Sequence, residues 1–284
     1  MTRIAASKGR VVLARGDEHV DVAVASGGRF GPDPQQVFAH WDDFVAWAAR
    51  TSPGEPQLPA DGSWDSPVGR PRMVIAAGVN HPGKFASIGV DAPASLGIVS
   101  KLPTAYAGPD APIPAASQQV YVEVELALVI GRPMWRVPAA TALDHVLGAT
   151  IALDITDAAA LVVAPANRPG SRDVVYFNPA KSLPGYCPFG PVVAGLDDLG
   201  DLTSLVLELH INNQLVQRGT LTDLHFSAAE MLAQVSALLP LEPGDVVLTG
   251  SPGWVDGSRA VAVGDEVVAT ITGLGEQRHR VVAA

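Results

Sequence analysis

Residues 120–131 read Val-Tyr-Val-Glu-Val-Glu-Leu-Ala-Leu-Val-Ile-Gly, and this stretch decides how the rest of the chain is interpreted. Polar and apolar residues alternate at its start and its end is wholly apolar, which is typical of a strand that enters a core. Because alternate residues of a strand share a face, Glu123 and Glu125 point the same way. Two acids there are costly unless they are solvated, protonated or neutralised by a cation. An exposed face with two solvated acids is left open.

A third acid ends another apolar run. Residues 148–153 read Gly-Ala-Thr-Ile-Ala-Leu, and Asp154 follows them. An acid at this place is either a cap or turn residue or a further oxygen ligand. Three carboxylates with waters make a hard oxygen site that suits Mg²⁺ or Mn²⁺. The chain has no Cys–His cluster at zinc-like spacing, so the sequence does not indicate a structural zinc.

Strands are predicted at many further places and helices at few. The predicted strands are residues 11–14, 20–24, 73–78, 205–211, 246–249 and 266–271, with turns at 15–17 and at Asn212-Asn213. The predicted helices are 38–49, 139–146 and 227–239, the last with Ser227 and Glu230 as a capping box. This pattern indicates a β-rich α+β fold. Residues 51–72 read as a linker, so we divide the chain into a small N-terminal β domain with its linker, 1–70, and a catalytic domain, 71–284.

The composition excludes several classes of function. The formal net charge of −10 over 284 residues is a poor match for non-specific nucleic-acid binding. No run approaches the ~18 apolar residues of a membrane span, and the first nine residues lack the apolar stretch of a secretory signal. Cys187 is the single cysteine, which excludes an internal disulfide and predicts a packed core thiol. We therefore expect a cytoplasmic protein with no membrane or nucleic-acid partner.

Short motifs in a fixed order resemble the fumarylacetoacetate hydrolase family. Each motif alone is weak, but their order and separations across most of residues 71–275 are specific. They are Arg70-Pro71, Gly78-Val79-Asn80, Lys101-Leu102-Pro103-Thr104-Ala105, Glu123-Val124-Glu125-Leu126-Ala127, Leu153-Asp154-Ile155-Thr156, Lys181-Ser182, Pro188-Phe189-Gly190-Pro191, Asn213, Gln217, Thr222, Pro243-Gly244-Asp245-Val246-Val247, Thr249-Gly250-Ser251-Pro252 and Val263-Gly264-Asp265.

The resemblance implies a fold, a cofactor and a set of site residues. It implies a C-terminal domain that is a mixed β-sandwich or roll, a small N-terminal β domain and a homodimer. It implies Mg²⁺, or else Mn²⁺ or Ca²⁺, on Glu123, Glu125 and Asp154, with Lys181 beside the metal and the substrate. The residues expected to bind a small oxo-acid substrate are Asn80, Arg172, Gln217, Thr249, Gly250 and Ser251.

The chain departs from the family pattern at two places. Hydrolases of this family usually carry Asn-Tyr-x-x-His-x-x-Glu after the first strand of the domain, and the His and Glu activate water. Residues 80–87 read Asn-His-Pro-Gly-Lys-Phe-Ala-Ser, so Lys84 stands at the His position and Ser87 at the Glu position. The Arg-Asp pair that commonly follows the aspartate of the metal site is also absent from its usual position. Whether Arg172, further along the chain, folds back to replace it is left open.

The resemblance predicts an enzyme that acts on a β-diketo or 2-oxo acid through a metal-stabilised enolate. C–C bond hydrolysis is the first choice, on family frequency. A dehydratase, decarboxylase or isomerase is the alternative that the lost dyad favours, and a non-catalytic binding or scaffold protein is the second alternative. The predicted catalytic residues are Lys84, His81 and Lys181, of which Lys84 or His81 would replace the base. The competing interpretation makes Lys84 a solvated lid residue in a protein that has lost hydrolysis.

Overall fold

The computed structural model describes residues 2–15, 18–51, 64–89, 91–166 and 173–284. Its strands are β1 (Arg3–Ser7), β2 (Arg10–Arg15), β3 (Glu18–Asp21), β4 (Val74–Ala77), β5 (Ile98–Lys101), β6 (Tyr106–Ala107), β7 (Ile113–Ala115), β8 (Val120–Ile130), β9 (Val146–Asp157), β10 (Val162–Ala164), β11 (Val174–Tyr176), β12 (Cys187–Gly195), β13 (Val206–Ile211), β14 (Gln214–Thr220), β15 (Val246–Leu248), β16 (Glu266–Ile271) and β17 (Gly275–Ala283). Its α-helices are α1 (Val22–Ala25), α2 (Pro34–Phe38), α3 (Trp41–Ala48), α4 (Pro82–Ile88), α5 (Ala139–Ala142), α6 (Asn178–Lys181), α7 (Leu196–Leu199) and α8 (Ala228–Leu238). The predicted β-rich α+β class is confirmed.

Two sheets enclose the core of the described chain. The larger has the order β3-β2-β1-β12-β9-β8-β15-β4-β5, with β6 also paired to β12, and the smaller has the order β14-β13-β16-β17-β7. Strands β13 and β16 of the smaller sheet lie against β8 and β9 of the larger one. Both sheets are mixed: the larger has parallel β4–β15 and antiparallel β8–β9, and the smaller has parallel β7–β17 and antiparallel β16–β17. This arrangement agrees with the predicted mixed β-sandwich or roll.

The N-terminal segment continues the larger sheet. Strand β1 pairs with β12 in an antiparallel register in which Arg3 faces Ala194. Part of the predicted linker is packed as well, since Val68 is fully buried in the core, whereas residues 52–63 lie outside the described residues. The boundary at residue 70 therefore stays a prediction, and backbone hydrogen bonds cross between the two parts.

Several predicted elements match the structure closely. Strand β8 covers residues 120–130 and β16 covers residues 266–271, as expected from their alternation. Asn212 and Asn213 have φ angles of 52° and 63°, which is the backbone of a type I′ hairpin turn. The capping box of Ser227 and Glu230 is present at the start of α8. Cys187 is buried, as predicted for a packed thiol.

Three predicted elements are wrong in extent or type. The predicted strand 20–24 ends at Asp21, whose carboxylate accepts from Val24 N at 2.9 Å and caps helix α1. The predicted helix 38–49 begins only at Trp41, as α3, because Phe38 is the last residue of the separate helix α2. The predicted helix 139–146 ends at Ala142 and continues as a 3₁₀ turn into β9. Gly16 and Asp17 of the predicted turn lie outside the described residues.

Candidate active site

Three buried acids lie on one face of the β8–β9 pair. Glu123 faces Asp154 in the register, and Glu125 faces Ala152. Because the two strands are antiparallel neighbours, the face that holds both glutamates also holds Asp154. The three side chains are nearly covered, with Glu123, the most accessible, at 8% exposure. The interpretation of this strand face as two solvated acids is therefore wrong.

Three lysines reach these acids from three separate elements. Lys84 of α4 forms an ion pair with Glu123, and Lys181 of α6 forms one with Asp154. Lys101, the last residue of β5, donates to Asp154 Oδ1 at 2.7 Å and to a backbone carbonyl of β9 at 3.0 Å. The side chain of Lys101 is 0% exposed. The acids are therefore matched by ammonium groups inside the fold.

Lys101 is the residue of this centre that sequence reasoning does not single out. Its motif, residues 101–105, contributes to the family resemblance but carries no assigned role. A lysine that ends an apolar strand such as Ile98–Lys101 is a signal, because a buried ammonium needs a carboxylate partner. The identity of that partner depends on a sheet register that brings β5 to β9.

Lys84 lies between a carboxylate and a hydroxyl. Its ammonium contacts Glu123 and donates to Ser251 Oγ at 3.1 Å. The side chain is 18% exposed, so most of it is shielded from water. The interpretation of Lys84 as a solvated lid residue is therefore wrong. An amine that can carry a proton stands at the sequence position of the missing histidine.

The two deepest acids differ in their protonation. Burial and the charge of Asp154 raise the pKa of Glu125 to about 8. Burial acts in the same direction on Asp154, but Lys101 and Lys181 outweigh it and hold the pKa of Asp154 below its ordinary value. Asp154 is therefore ionised at neutral pH, whereas Glu125 is largely protonated unless a further cation neutralises it.

The loop that follows β15 lies directly against the acids. Gly250 N donates to Glu125 Oε2 at 2.7 Å. Gly250 has a φ of 97°, and a Cβ there would lie 3.0 Å from the Cβ of Asn80, so glycine is what allows this approach. Thr249 is fully buried, and among the described residues its Oγ1 has no hydrogen-bond partner. Gly250 and Ser251 are thus brought to the centre, where the sequence predicted them.

Two predicted substrate contacts hold the loop in place. Asn80 Nδ2 donates to the backbone oxygens of Thr249 and Phe226 at 3.0 Å, and its Oδ1 accepts from Phe226 N at 2.9 Å. Gln217 is fully buried, and both ends of its amide bond to the backbone. These contacts give both amides a bracing role, and their contact with a substrate stays a prediction. Arg172 lies outside the described residues, so its role stays a prediction too.

His81 caps the helix that carries Lys84. Its Nδ1 accepts from Gly83 N at 3.3 Å, and its buried Nε2 has no hydrogen-bond partner among the described residues. Nε2 lies 4.0 Å from Asp223 Oδ2. Burial lowers the pKa of His81 more than Asp223 raises it, and nearby Lys84 lowers it further. His81 is therefore neutral at pH 7, with its hydrogen on Nε2.

The three acids suit a hard divalent cation by their chemistry. All three donate carboxylate oxygen from neighbouring strands, and the raised pKa of Glu125 shows that this place favours a further positive charge. The acids are nevertheless not arranged as a finished site. Within the ranges that the structure describes, no group of three or more His, Cys, Asp or Glu side chains could hold a metal ion as placed. Lys84 contacts Oε1 of Glu123, so a cation on this carboxylate would share it with the Lys84 ammonium.

A separate cavity of about 460 Å³ opens away from this centre. It lies beside α3 and is lined by acids that include Asp42, Asp144 and Asp197. No predicted site residue lines it, and the arginine in its wall, Arg132, is already paired with Asp42 at 3.0 Å. We therefore place the chemistry at the acid and lysine centre. In the described part of the chain, no helix combines the length and the apolar character needed to cross a membrane.

A mixed β fold around buried acids and lysines defines the class of protein, and comparison with known proteins identifies the family. The family model described as fumarylacetoacetate (FAA) hydrolase C-terminal matches residues 73–282. The chain belongs to the fumarylacetoacetate hydrolase family. The resemblance in the sequence motifs is thereby confirmed.

Relatives with known names are enzymes of more than one reaction. Human mitochondrial oxaloacetate tautomerase FAHD2A is 32% identical over 234 residues, which are 80% of this chain and 72% of that protein. The crystal structure of an HpcE-like protein from Mycobacterium smegmatis matches with a TM-score of 0.88 at 34% identity and covers 99% of both chains. Maleylpyruvate hydrolase from Sphingobium sp. SYK-6, crystallised with manganese(II) and pyruvate, matches with a TM-score of 0.80 at 26% identity over 99% of both chains.

Proposed function

We propose that this chain is a divalent-metal-dependent enzyme that interconverts the keto and enol forms of a small 2-oxo dicarboxylic acid. The observation that carries this proposal is the ammonium of Lys84, held by Glu123 and Ser251 where hydrolases of the family have a water-activating histidine. Tautomerisation moves one proton between C3 and the 2-oxo oxygen and consumes no water. A single amine near the substrate is sufficient for such a transfer.

The charges of the centre favour a dianionic substrate. With all six groups ionised, the three acids and the three lysines cancel. A divalent cation held by Glu123, Glu125 and Asp154 would add two positive charges and would draw negative charge onto the 2-oxo oxygen of the substrate. A dicarboxylate balances this addition, whereas a monocarboxylate leaves one positive charge uncompensated. The activity of the human tautomerase named above supports the same choice.

Each residue of the centre has a separate task in this proposal. Lys84 would deliver a proton to C3 of the enol, and its neutral amine would then take up the proton that leaves the enol oxygen; the reverse direction uses the same two transfers. Ser251 and Glu123 orient the Lys84 ammonium. Lys181 and Lys101 keep Asp154 ionised. The choice between Mg²⁺ and Mn²⁺ and the predicted homodimer stay predictions.

C–C bond hydrolysis is the second candidate, and one observation favours it. His81 Nε2 faces Asp223 at 4.0 Å, which is a histidine and carboxylate pair displaced from the usual place. Such a pair could activate water, and the maleylpyruvate hydrolase supplies a hydrolytic relative. Because Nδ1 of His81 accepts from Gly83 N, His81 would have to release the helix cap before it could act as the base, whereas Lys84 would not.

Product analysis separates the two candidates. The protein, loaded with Mn²⁺, is mixed with freshly dissolved enol-oxaloacetate, and the enol absorbance and the products are followed. We expect enol loss above the spontaneous rate, abolished by a chelator, without release of pyruvate. In a parallel reaction with an acylpyruvate, release of pyruvate together with a second carboxylic acid would assign hydrolysis instead. Absence of turnover in both reactions would leave the binding or scaffold interpretation.

A further inference from the structure

Gln217 joins the acid-bearing strand to the loop after β15. Its side chain is 0% exposed. Its Oε1 accepts from Val124 N at 3.0 Å, and its Nε2 donates to Pro252 O at 2.8 Å. The single amide of Gln217 therefore spans from β8 to the loop. Its oxygen accepts from the strand, and its nitrogen donates to the loop.

The two anchor points of this glutamine adjoin the two partners of Lys84. Val124 follows Glu123 in β8, and Pro252 follows Ser251 in the loop. Lys84 bridges the side chains of Glu123 and Ser251. The backbone link and the ammonium link thus close a ring, and the separation between the carboxylate and the hydroxyl depends on the amide.

The other side chains that hold the loop act on its first half. Asn80 bonds to Thr249 O at 3.0 Å, and Glu125 accepts from Gly250 N at 2.7 Å. Both contacts precede Ser251 in the chain. Gln217 holds the residue that follows Ser251, so it fixes the loop from the other side. Without it, the segment after Ser251 would keep backbone contacts, such as that of Val255 N to Val216 O at 2.9 Å.

We propose that Gln217 is a positioning residue, which sets the spacing of Glu123 and Ser251 so that both take the Lys84 ammonium. This inference rests on the proposed function, because Lys84 is the proton carrier there. In this role the amide acts through backbone contacts on both sides, and the predicted contact of Gln217 with the substrate stays a separate prediction. Loss of the amide should reduce turnover and leave substrate affinity nearly intact.

The variant Gln217→Met tests this role against a matched control. Methionine keeps the length of the side chain and removes both hydrogen bonds. Gln277 is also 0% exposed, its Nε2 donates to Ile151 O at 2.9 Å and to Gly190 O at 3.0 Å, and its Oε1 lies 3.0 Å from His279 Nε2, so Gln277→Met removes at least as many buried amide contacts elsewhere. We expect kcat to fall about 10- to 100-fold in Gln217→Met with KM within about twofold, and Gln277→Met to lower Tm similarly with wild-type kcat. Equal kcat in the two variants would overturn the inference.

A double-mutant cycle with Ser251→Ala tests the route. If Gln217 acts by placing the Ser251 hydroxyl, Gln217→Met should cost little further kcat once that hydroxyl is gone. The expected result is a double variant within about threefold of Ser251→Ala alone. If the loss of kcat in the double variant equals the product of the losses in the two single variants, the proposed route is overturned. The glutamine would then contribute independently of the Ser251 hydroxyl.

A readout without catalysis keeps this inference separate from the proposed function. The backbone of Trp254 forms a β-bridge with that of Gln217, and the centroid of its ring lies 6.5 Å from the centroid of the Tyr121 ring. The fluorescence of Trp254 is obtained by subtracting, from the spectrum of each protein, the spectrum of the same protein with Trp254→Phe. This fluorescence should change in Gln217→Met and stay unchanged in Gln277→Met. If the wild type lacks tautomerase activity, the proposed function fails, and the emission still decides whether Gln217 holds the loop. Unchanged emission in both variants would overturn the inference.

Discussion

The three buried acids form a row whose two ends, Asp154 and Glu123, are held in different ways. Asp154 contacts two lysines, and one of them, Lys101, is completely inaccessible to water. Glu123 contacts Lys84, which is 18% exposed and comes from the short helix α4. Asp154 therefore belongs to a closed charge cluster in the core, whereas the partner of Glu123 can reach water.

This difference separates a structural end from a chemical end. A fully buried ammonium stays in place because leaving its carboxylate would strand a charge in an apolar medium. A partly exposed ammonium can exchange partners at a smaller cost, since water solvates it when it leaves. Proton transfer and cation entry both need such an exchange. We therefore place both events at the Glu123 end.

The largest expected effect concerns the structural end. Asp154→Asn leaves Lys101 buried without a carboxylate and should reduce the free energy of unfolding by about 3–5 kcal/mol. Glu123→Gln leaves Lys84 near water and should cost about 1–2 kcal/mol. Urea unfolding of both variants, followed by circular dichroism, measures the difference. Equal losses would mean that the two ends do not differ as described.

Cation affinity gives the next effect in size. Because Lys84 and a cation compete for Glu123, Lys84→Met should bind Mn²⁺ more tightly, by about tenfold or 1.4 kcal/mol, in calorimetric titration. Ser251→Ala leaves the ammonium on Glu123 and serves as the control, with affinity close to that of the wild type. Weaker binding in Lys84→Met would show that the lysine assists the cation.

The smallest effect concerns pH and the helix that carries Lys84. The pKa of His81 is lowered in the folded state, so the unfolded state binds the proton first as the pH falls. This contribution to stability is complete above about pH 6.5 and declines below it. Asparagine caps helices without titrating, so His81→Asn should reduce the stability difference between pH 7.5 and pH 5.5. An unchanged pH dependence of Tm would exclude His81 as the source.

Features within one element could be predicted from the sequence. The alternation of residues 120–130 predicted the strand and the shared face of its glutamates, and the Asn212-Asn213 pair predicted its turn. The capping box at Ser227 predicted the start of α8. Each of these depends on neighbours within about four residues, which is the range over which local rules act.

Features that depend on long-range register could not be predicted in the same way. The role of Lys101 requires β5 to approach β9, and the role of Gln217 requires β14 to meet both β8 and the loop after β15. The pairing of β1 with β12 joins residues nearly two hundred positions apart. The predicted roles of Lys84 on α4 and Lys181 on α6 came through the motifs of the family, which carry such register information implicitly.

The central claim is that Lys84 carries the proton, and deuterium exchange tests it most directly. The wild type and Lys84→Met, both loaded with Mn²⁺, are compared in D₂O by the rate at which deuterium enters C3 of a 2-oxo dicarboxylate, measured by NMR. We predict exchange above the spontaneous rate in the wild type and a loss of about 10²- to 10⁴-fold in the variant, with Tm little changed. Wild-type exchange in a folded Lys84→Met protein would contradict the account.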